Sequence, residues 1–136
     1  MKIFVDTNIL LDLLLDRENS EQASVVLNSI DIGLFRGVVS DITMVNIFYI
    51  AKKQRKIEEI RQFLSLLIDI FEICTPDEKI FKEALNLQNS DFEDNIQYLL
   101  AKKNDCDCII TNDKKFRFND IEILSSEEFI NKFLLG

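Results

Sequence analysis

Acidic and amide side chains recur where short apolar runs stop. "KIFVD" ends on Asp6, "GVVSD" ends on Ser40 and Asp41, and "CDCIITND" ends on Thr111, Asn112 and Asp113. One helix start, "SDFED", adds Asp91, Glu93 and Asp94. Singly, each acid has a structural reading. Asp6 can cap a following helix through the backbone of Asn8 or Ile9, worth about 1 kcal/mol. Asp91 can cap its own helix, Asp94 suits the positive end of the helix dipole, and Asp113 can form an Asx-turn. Jointly they suggest more, because acids brought to one place repel one another and capping needs no such convergence. A hard divalent cation offsets that repulsion: Mg²⁺ takes carboxylate oxygens and keeps several waters. Held there, it activates a water and stabilises a phosphoryl transition state. Asp and Asn donors suit Mg²⁺ or Mn²⁺ better than zinc.

The bulk numbers leave room for this chemistry and remove others. The sequence has no histidine, so no imidazole acts as base or ligand within it. Cys74, Cys106 and Cys108 are too few and too poorly spaced for a four-cysteine zinc site and read as buried reduced thiols. The net charge of -8, from 24 acids against 16 bases, argues against binding nucleic acid by bulk electrostatics alone. It is compatible with an acidic pocket that recruits phosphates through cations. Basic residues cluster locally at Lys52–Lys56, Lys102–Lys103 and Lys114–Arg117, where a solvated helix surface is an equal reading. At 136 residues and 47% hydrophobic, residues 1–136 are expected to form one globular domain. No apolar run matches a membrane span, and the start lacks a signal-peptide pattern, so the expected location is cytoplasmic, with no membrane partner.

The elements that position these residues follow from periodicity. Lys2–Asp6 reads as a strand, and residues 7–16 as a helix with Ile9, Leu10, Leu13 and Leu14 inward and Asp12 and Asp16 solvated. A second helix follows Asn19, and Gly33 and Gly37 bracket a turn before the strand "GVVS". Helices "TMVNIFYIAKK" and "IEEIRQFLSLLIDI" lead to the strand "FEICTP". Asp77 caps "EKIFKEALNLQ" and Ser90 or Asp91 caps "FEDNIQYLLAKKN". Strand "CDCIIT", a basic loop, strand "IEIL" and a helix opened by the capping box Ser125–Glu128 complete the chain. Strands alternating with helices mean parallel strands with crossovers: an α/β fold, a three-layer α/β/α sandwich with a central, mainly parallel sheet. Ligands collect at the carboxyl ends of such strands, where the acids stand. Asp91 and Asp94, three apart, share a helix face, and Glu93 is expected to point elsewhere.

"FVDTNILLDLL", "VVSDITMVNIFYI" and "SDFEDNIQYLLAKKNDCDCIITND", in this order over nearly the whole chain, resemble the PIN domain, the nuclease fold of VapC-type toxins. The resemblance implies an Mg²⁺- or Mn²⁺-dependent endoribonuclease, frequent homodimers and, in many members, a small antitoxin protein as partner. It also assigns the residues. Asp6 is similar to the family's first acid, a direct metal ligand, with Asn8 holding that carboxylate. Asp94 is similar to the third acid and shares the metal; Asp113 matches the last, an outer ligand, with Thr111 as supporting hydroxyl. The second acid departs. The family pattern of Ser, Thr and Glu at three-residue steps is met by Ser40, Thr43 and Asn46, so an amide stands where a carboxylate is expected. Asp91 or Glu93 is a candidate to compensate.

The resulting expectation is metal-assisted hydrolysis of RNA phosphodiester bonds by a toxin of a toxin–antitoxin pair, with Lys52, Lys114 or Arg117 on the substrate backbone. The alternative is a weak or inactive PIN-fold module that binds RNA or protein, marked by Asn46. Asn46→Glu is expected to tighten metal binding and speed cleavage. An aspartyl-phosphate phosphotransferase ranks lower, because that chemistry needs a second Asp where Asn8 stands.

Overall fold

The strands are short, and the three central ones are apolar and buried on both faces, which is the pattern of a parallel sheet covered by helices. The computed structural model describes residues 1–135. Five strands, β1 (Lys2–Val5), β2 (Arg36–Ser40), β3 (Phe71–Cys74), β4 (Cys108–Ile110) and β5 (Glu122–Leu124), lie in the order β3-β2-β1-β4-β5. Every pairing between neighbours is parallel. Helices α1 (Thr7–Leu14), α2 (Ser20–Asp31), α3 (Asp41–Ala51), α4 (Ile57–Ile70), α5 (Glu78–Asn86), α6 (Phe92–Lys103) and α7 (Ser126–Phe133) complete the described residues.

Alternation along the strands sorts side chains into two cores. Ile3 and Val5 of β1, Val39 of β2, and Cys108 and Ile110 of β4 pack with α1, α2, α3, α4 and α7. Phe4, Val38 and Ile109 point the other way and pack with α5 and α6. The three-layer α/β/α sandwich expected from the sequence is therefore present. The strand order also explains where a ligand goes. From β1 the chain winds outward through β2 and β3 with helices on one face. It then crosses beneath on α5 and α6 to lay β4 on the other side of β1. Strand order reverses between β1 and β4, and the crevice at their carboxyl ends is the position that open α/β sheets use for ligands.

β2 begins at Arg36, one residue before the expected strand "GVVS", so Gly37 lies within it. A Cβ there would lie 2.7 Å from the Phe71 ring and 2.8 Å from Ile30 Cδ1, so glycine is what lets β3 and α2 close on the strand. Gly33, at φ +84°, makes the turn alone. Asp12 is buried rather than solvated: it faces Asn112 Nδ2 at 3.4 Å and Arg17 at 3.7 Å. Asp16 is exposed as expected and pairs with Arg55. The three thiols are free, and burial pushes Cys74 up to about 11 and Cys106 and Cys108 up to about 12, as suits inert packing groups.

An acidic pocket at the strand ends

Asp6 is the first residue past β1, and its backbone N–H continues the ladder by donating to the Ile110 carbonyl at 3.0 Å. Its side chain is 1% exposed and makes no capping hydrogen bond to α1. Instead, one carboxylate oxygen accepts from Gln97 Nε2 at 2.9 Å and the other from Thr111 Oγ1 at 2.8 Å. β4 delivers Thr111 because Ile110 pairs with Val5, so the two strands end level. Thr111 Oγ1 in turn accepts from the Asp113 backbone N–H at 3.1 Å. Asp113 folds into the expected Asx-turn, its carboxylate accepting from Lys115 N at 2.9 Å.

α6 supplies the other wall. Asp91 caps it, accepting from the Asp94 N–H at 3.0 Å. Asp94 is 5% exposed, and its Oδ2 is buried with no hydrogen-bond partner. Burial pushes its carboxyl up to about 8, reinforced by the negative charges of Asp6, Asp91, Asp113 and Glu93. Burial also pushes Asp6 up to about 6, against the lowering effect of its bonds from Gln97 and Thr111. The acids from three strand and helix ends thus crowd one pocket. The starts of α1 and α6 lie beside it, and their dipoles favour negative charge.

Glu93 does not point elsewhere. Its Oε2 accepts from Thr7 Oγ1 at 2.8 Å and its Oε1 from Asn46 Nδ2 at 2.9 Å. Adjacent residues on a helix diverge by about 100°. Here the N-terminus of α6 meets α1 and α3 together, so Asp94 turns toward Asp6 while the longer Glu93 reaches α3. Thr43, fully buried, lies one turn before Asn46 and bonds to Thr7 Oγ1 at 2.7 Å. Since the Thr7 hydroxyl gives its proton to Glu93, Thr43 must donate to Thr7.

Asn8 is exposed and forms no side-chain hydrogen bond to Asp6; Gln97 and Thr111 hold that carboxylate instead. Gln97 escaped sequence reasoning, although it stands three residues after Asp94 and four after Glu93, the spacing that brings side chains to one helix face. Ser40 is buried and caps α3, accepting from Ile42 N at 3.1 Å and donating to Asp41 Oδ1 at 3.3 Å, with no hydrogen bond to Asp6, Asp94 or Glu93. Lys114 and Arg117 border a cleft of about 510 Å³ that includes Thr111 and Asp113. Lys52 lies six residues beyond Asn46, about 9 Å along the helix axis. It sits over the Tyr49 ring at 4.6 Å, away from the acids.

The donors fit a hard cation. Oxygen ligands predominate, a buried carboxylate oxygen lacks a partner, and burial, reinforced by neighbouring negative charges, pushes the Asp94 carboxyl up, a cost that a cation would offset. Among the described residues no three acids, cysteines or histidines stand in a common ligating arrangement. The fit is therefore to an ion such as Mg²⁺, which takes one or two carboxylates and keeps its waters.

A model of the PIN domain family matches residues 2–115. Ribonuclease VapC1 of Aquifex aeolicus (strain VF5) is 29% identical over 141 residues, covering 97% of this chain and 95% of that protein. Among solved structures, VapC20 of Mycobacterium tuberculosis, a Sarcin-Ricin loop cleaving toxin, superposes with a TM-score of 0.69 at 11% identity over 84% of this chain and 92% of that one. A toxin–antitoxin complex from Klebsiella pneumoniae gives 0.67 at 22% identity over 91% and 97%. At these identities the structures speak for the fold.

Proposed function

Because the chain belongs to the PIN domain family, we propose that it is a divalent-cation-dependent endoribonuclease, with residues 1–136 acting as one unit. The observation that carries this reading is the buried, partnerless Asp94 Oδ2 in a pocket it shares with Asp6. The match to a ribonuclease over 97% of the chain supports RNA as the substrate.

Asp6 and Asp94 would hold Mg²⁺ or Mn²⁺, with Asp113 in an outer position. The bound ion supplies a water of lowered pKa and positive charge for the phosphoryl oxygens. Gln97 and Thr111 fix the Asp6 carboxylate so that its remaining lone pairs face the pocket. Lys114 and Arg117, on the rim of the adjoining cleft, are placed to meet the RNA backbone. In the hydrolysis, water oxygen bonds to phosphorus and the bond from phosphorus to O3′ breaks, leaving 5′-phosphate and 3′-hydroxyl ends. Lys52, stacked over the Tyr49 ring, is proposed as a more distant contact to the RNA backbone.

A small antitoxin is the proposed protein partner, because relatives of this fold have been solved as toxin–antitoxin complexes. Val45 and Tyr49 on α3 and Ile57 and Ile68 on α4 leave large apolar side chains exposed, the kind of surface a partner or a homodimer would cover. No helix among the described residues is long and apolar enough to cross a membrane. The non-catalytic alternative rests on the amide at Asn46; the Glu93 carboxylate that accepts its hydrogen bond at 2.9 Å supports the catalytic reading.

The test is RNA cleavage by the purified chain with Mn²⁺, with and without chelator, against Asp6→Asn. Cleavage that needs the ion and falls by two orders of magnitude or more in the variant is expected. Ion-independent cleavage, or equal cleavage by Asp6→Asn, would sink the proposal.

A further inference from the structure

The second acid of the family pattern is absent, and the residue in its place is not idle. Asn46 Nδ2 donates to Glu93 Oε1 at 2.9 Å across 47 residues of sequence. A carboxylate only accepts, so the amide must present its NH₂ group to Glu93. Thr7 Oγ1 donates to the second oxygen at 2.8 Å, and Thr43 backs Thr7 at 2.7 Å. Each Glu93 oxygen is therefore held by one donor, with lone pairs to spare. Three residues from α1 and α3 converge to fix a long side chain that the N-terminus of a helix would otherwise leave in solvent. A glutamate at position 46 facing a glutamine at position 93 would form the same pair with donor and acceptor exchanged.

We infer that Glu93 supplies the negative charge missing at position 46, acting on the cation from an outer position through the waters the ion keeps, the Asn46–Glu93 pair being the family's second acid transposed from α3 to α6. Independent of that pair, Asp94 Oδ2, on the next residue of α6, is buried and unpartnered, and marks where a cation belongs. The inference rests on the cation-binding reading of the pocket and deepens it. It also redirects the expectation for Asn46→Glu. In the native background the new carboxylate would face Glu93 at hydrogen-bond distance with no donor between them, so the benefit of a glutamate there is expected only when Glu93 is neutralised.

The experiment is Mn²⁺ titration of the full chain, free Mn²⁺ being read by electron paramagnetic resonance, with circular-dichroism melts to verify folding. Glu93→Gln should weaken binding by about tenfold or more, the usual scale for losing a group that supports a metal site. Asn46→Glu combined with Glu93→Gln should recover most of that loss. If Glu93→Gln does not fold, Glu93→Ala, which introduces no unpaired amide, takes its place with the same expected loss. Native affinity in the position 93 variant, or a double variant no tighter than the single one, overturns the inference. If the native chain binds Mn²⁺ and Asp94→Asn abolishes binding while Glu93→Gln leaves it intact, only the role of Glu93 fails. If the native chain does not bind Mn²⁺, the cation reading fails and this inference with it.

Discussion

Each carboxylate in the pocket is in a different condition, and those differences set the pH behaviour. Asp94 is buried without a donor and sits near 8, whereas Asp6, with two donors, sits near 6. A carboxyl whose folded pKa exceeds its unfolded value, about 4, keeps its proton longer in the folded chain. Its contribution to stability is complete below about pH 4 and is lost as pH rises through about 8. Without added metal, the melting temperature should therefore fall between pH 5 and pH 8, and Asp94→Asn should flatten that fall. Equal slopes for the variant and the native chain would contradict the assignment. Thr111→Val should destabilise the chain by about 1–2 kcal/mol at pH 7, since the Asp6 carboxylate loses a donor in a buried place; urea unfolding measures it. At this scale the sequence was legible for Asp6, Asp94 and Asp113, which stand at element ends. It was not for Glu93, because which way a side chain leaves the first turn of a helix depends on what that turn meets. Nor was it for Gln97, whose amide becomes informative only once Asp6 is known to lie opposite.

At the scale of elements, local signals decided most of the outcome. Asp77, Asp91 and the Ser125–Glu128 box cap α5, α6 and α7 as their spacing implied. Ser125→Ala should cost about 1 kcal/mol, measurable as a lower urea midpoint at unchanged slope. The strands are shorter than the apolar runs that announce them: β1 stops at Val5 and β4 covers only Cys108–Ile110. Asp6 and Thr111 are the first residues past β1 and β4, each still donating its backbone N–H to the neighbouring strand, which fixes the two side chains level at the strand ends. Gly37 is legible as the start of a strand, while the close approach of Phe71 that requires glycine there belongs to tertiary packing. Gly37→Ala should destabilise by about 1–3 kcal/mol through overpacking, unless the Phe71 ring can yield. The loop from Thr111 to Ile121, without regular structure, is pinned by Phe116, which is buried, and by Tyr98, which stacks on Phe118 and hydrogen-bonds to Asp120 at 2.6 Å. That anchoring gives Lys114 and Arg117 a defined place beside the acids.

For the whole molecule, the strand order joins these scales. Reversal between β1 and β4 opens the crevice, and α6, arriving from the opposite layer, brings Glu93, Asp94 and Gln97 to residues of α1 and α3 that are about 50 to 90 positions away in sequence. The alternation of strands and helices made the layers legible, but the strand order and the meeting of three helix starts arise from crossovers that no local pattern encodes. On the proposed function this meeting builds a site for a divalent cation, and the melting temperature at pH 8 with and without Mn²⁺, for the native chain and for Asp94→Asn, reads that site. An ion at about a hundred times its Kd stabilises by about 2.7 kcal/mol, roughly 5 °C or more for a domain of this size. The native chain should show that rise and Asp94→Asn should not; no rise in the native chain, or an equal rise in both, would contradict the account.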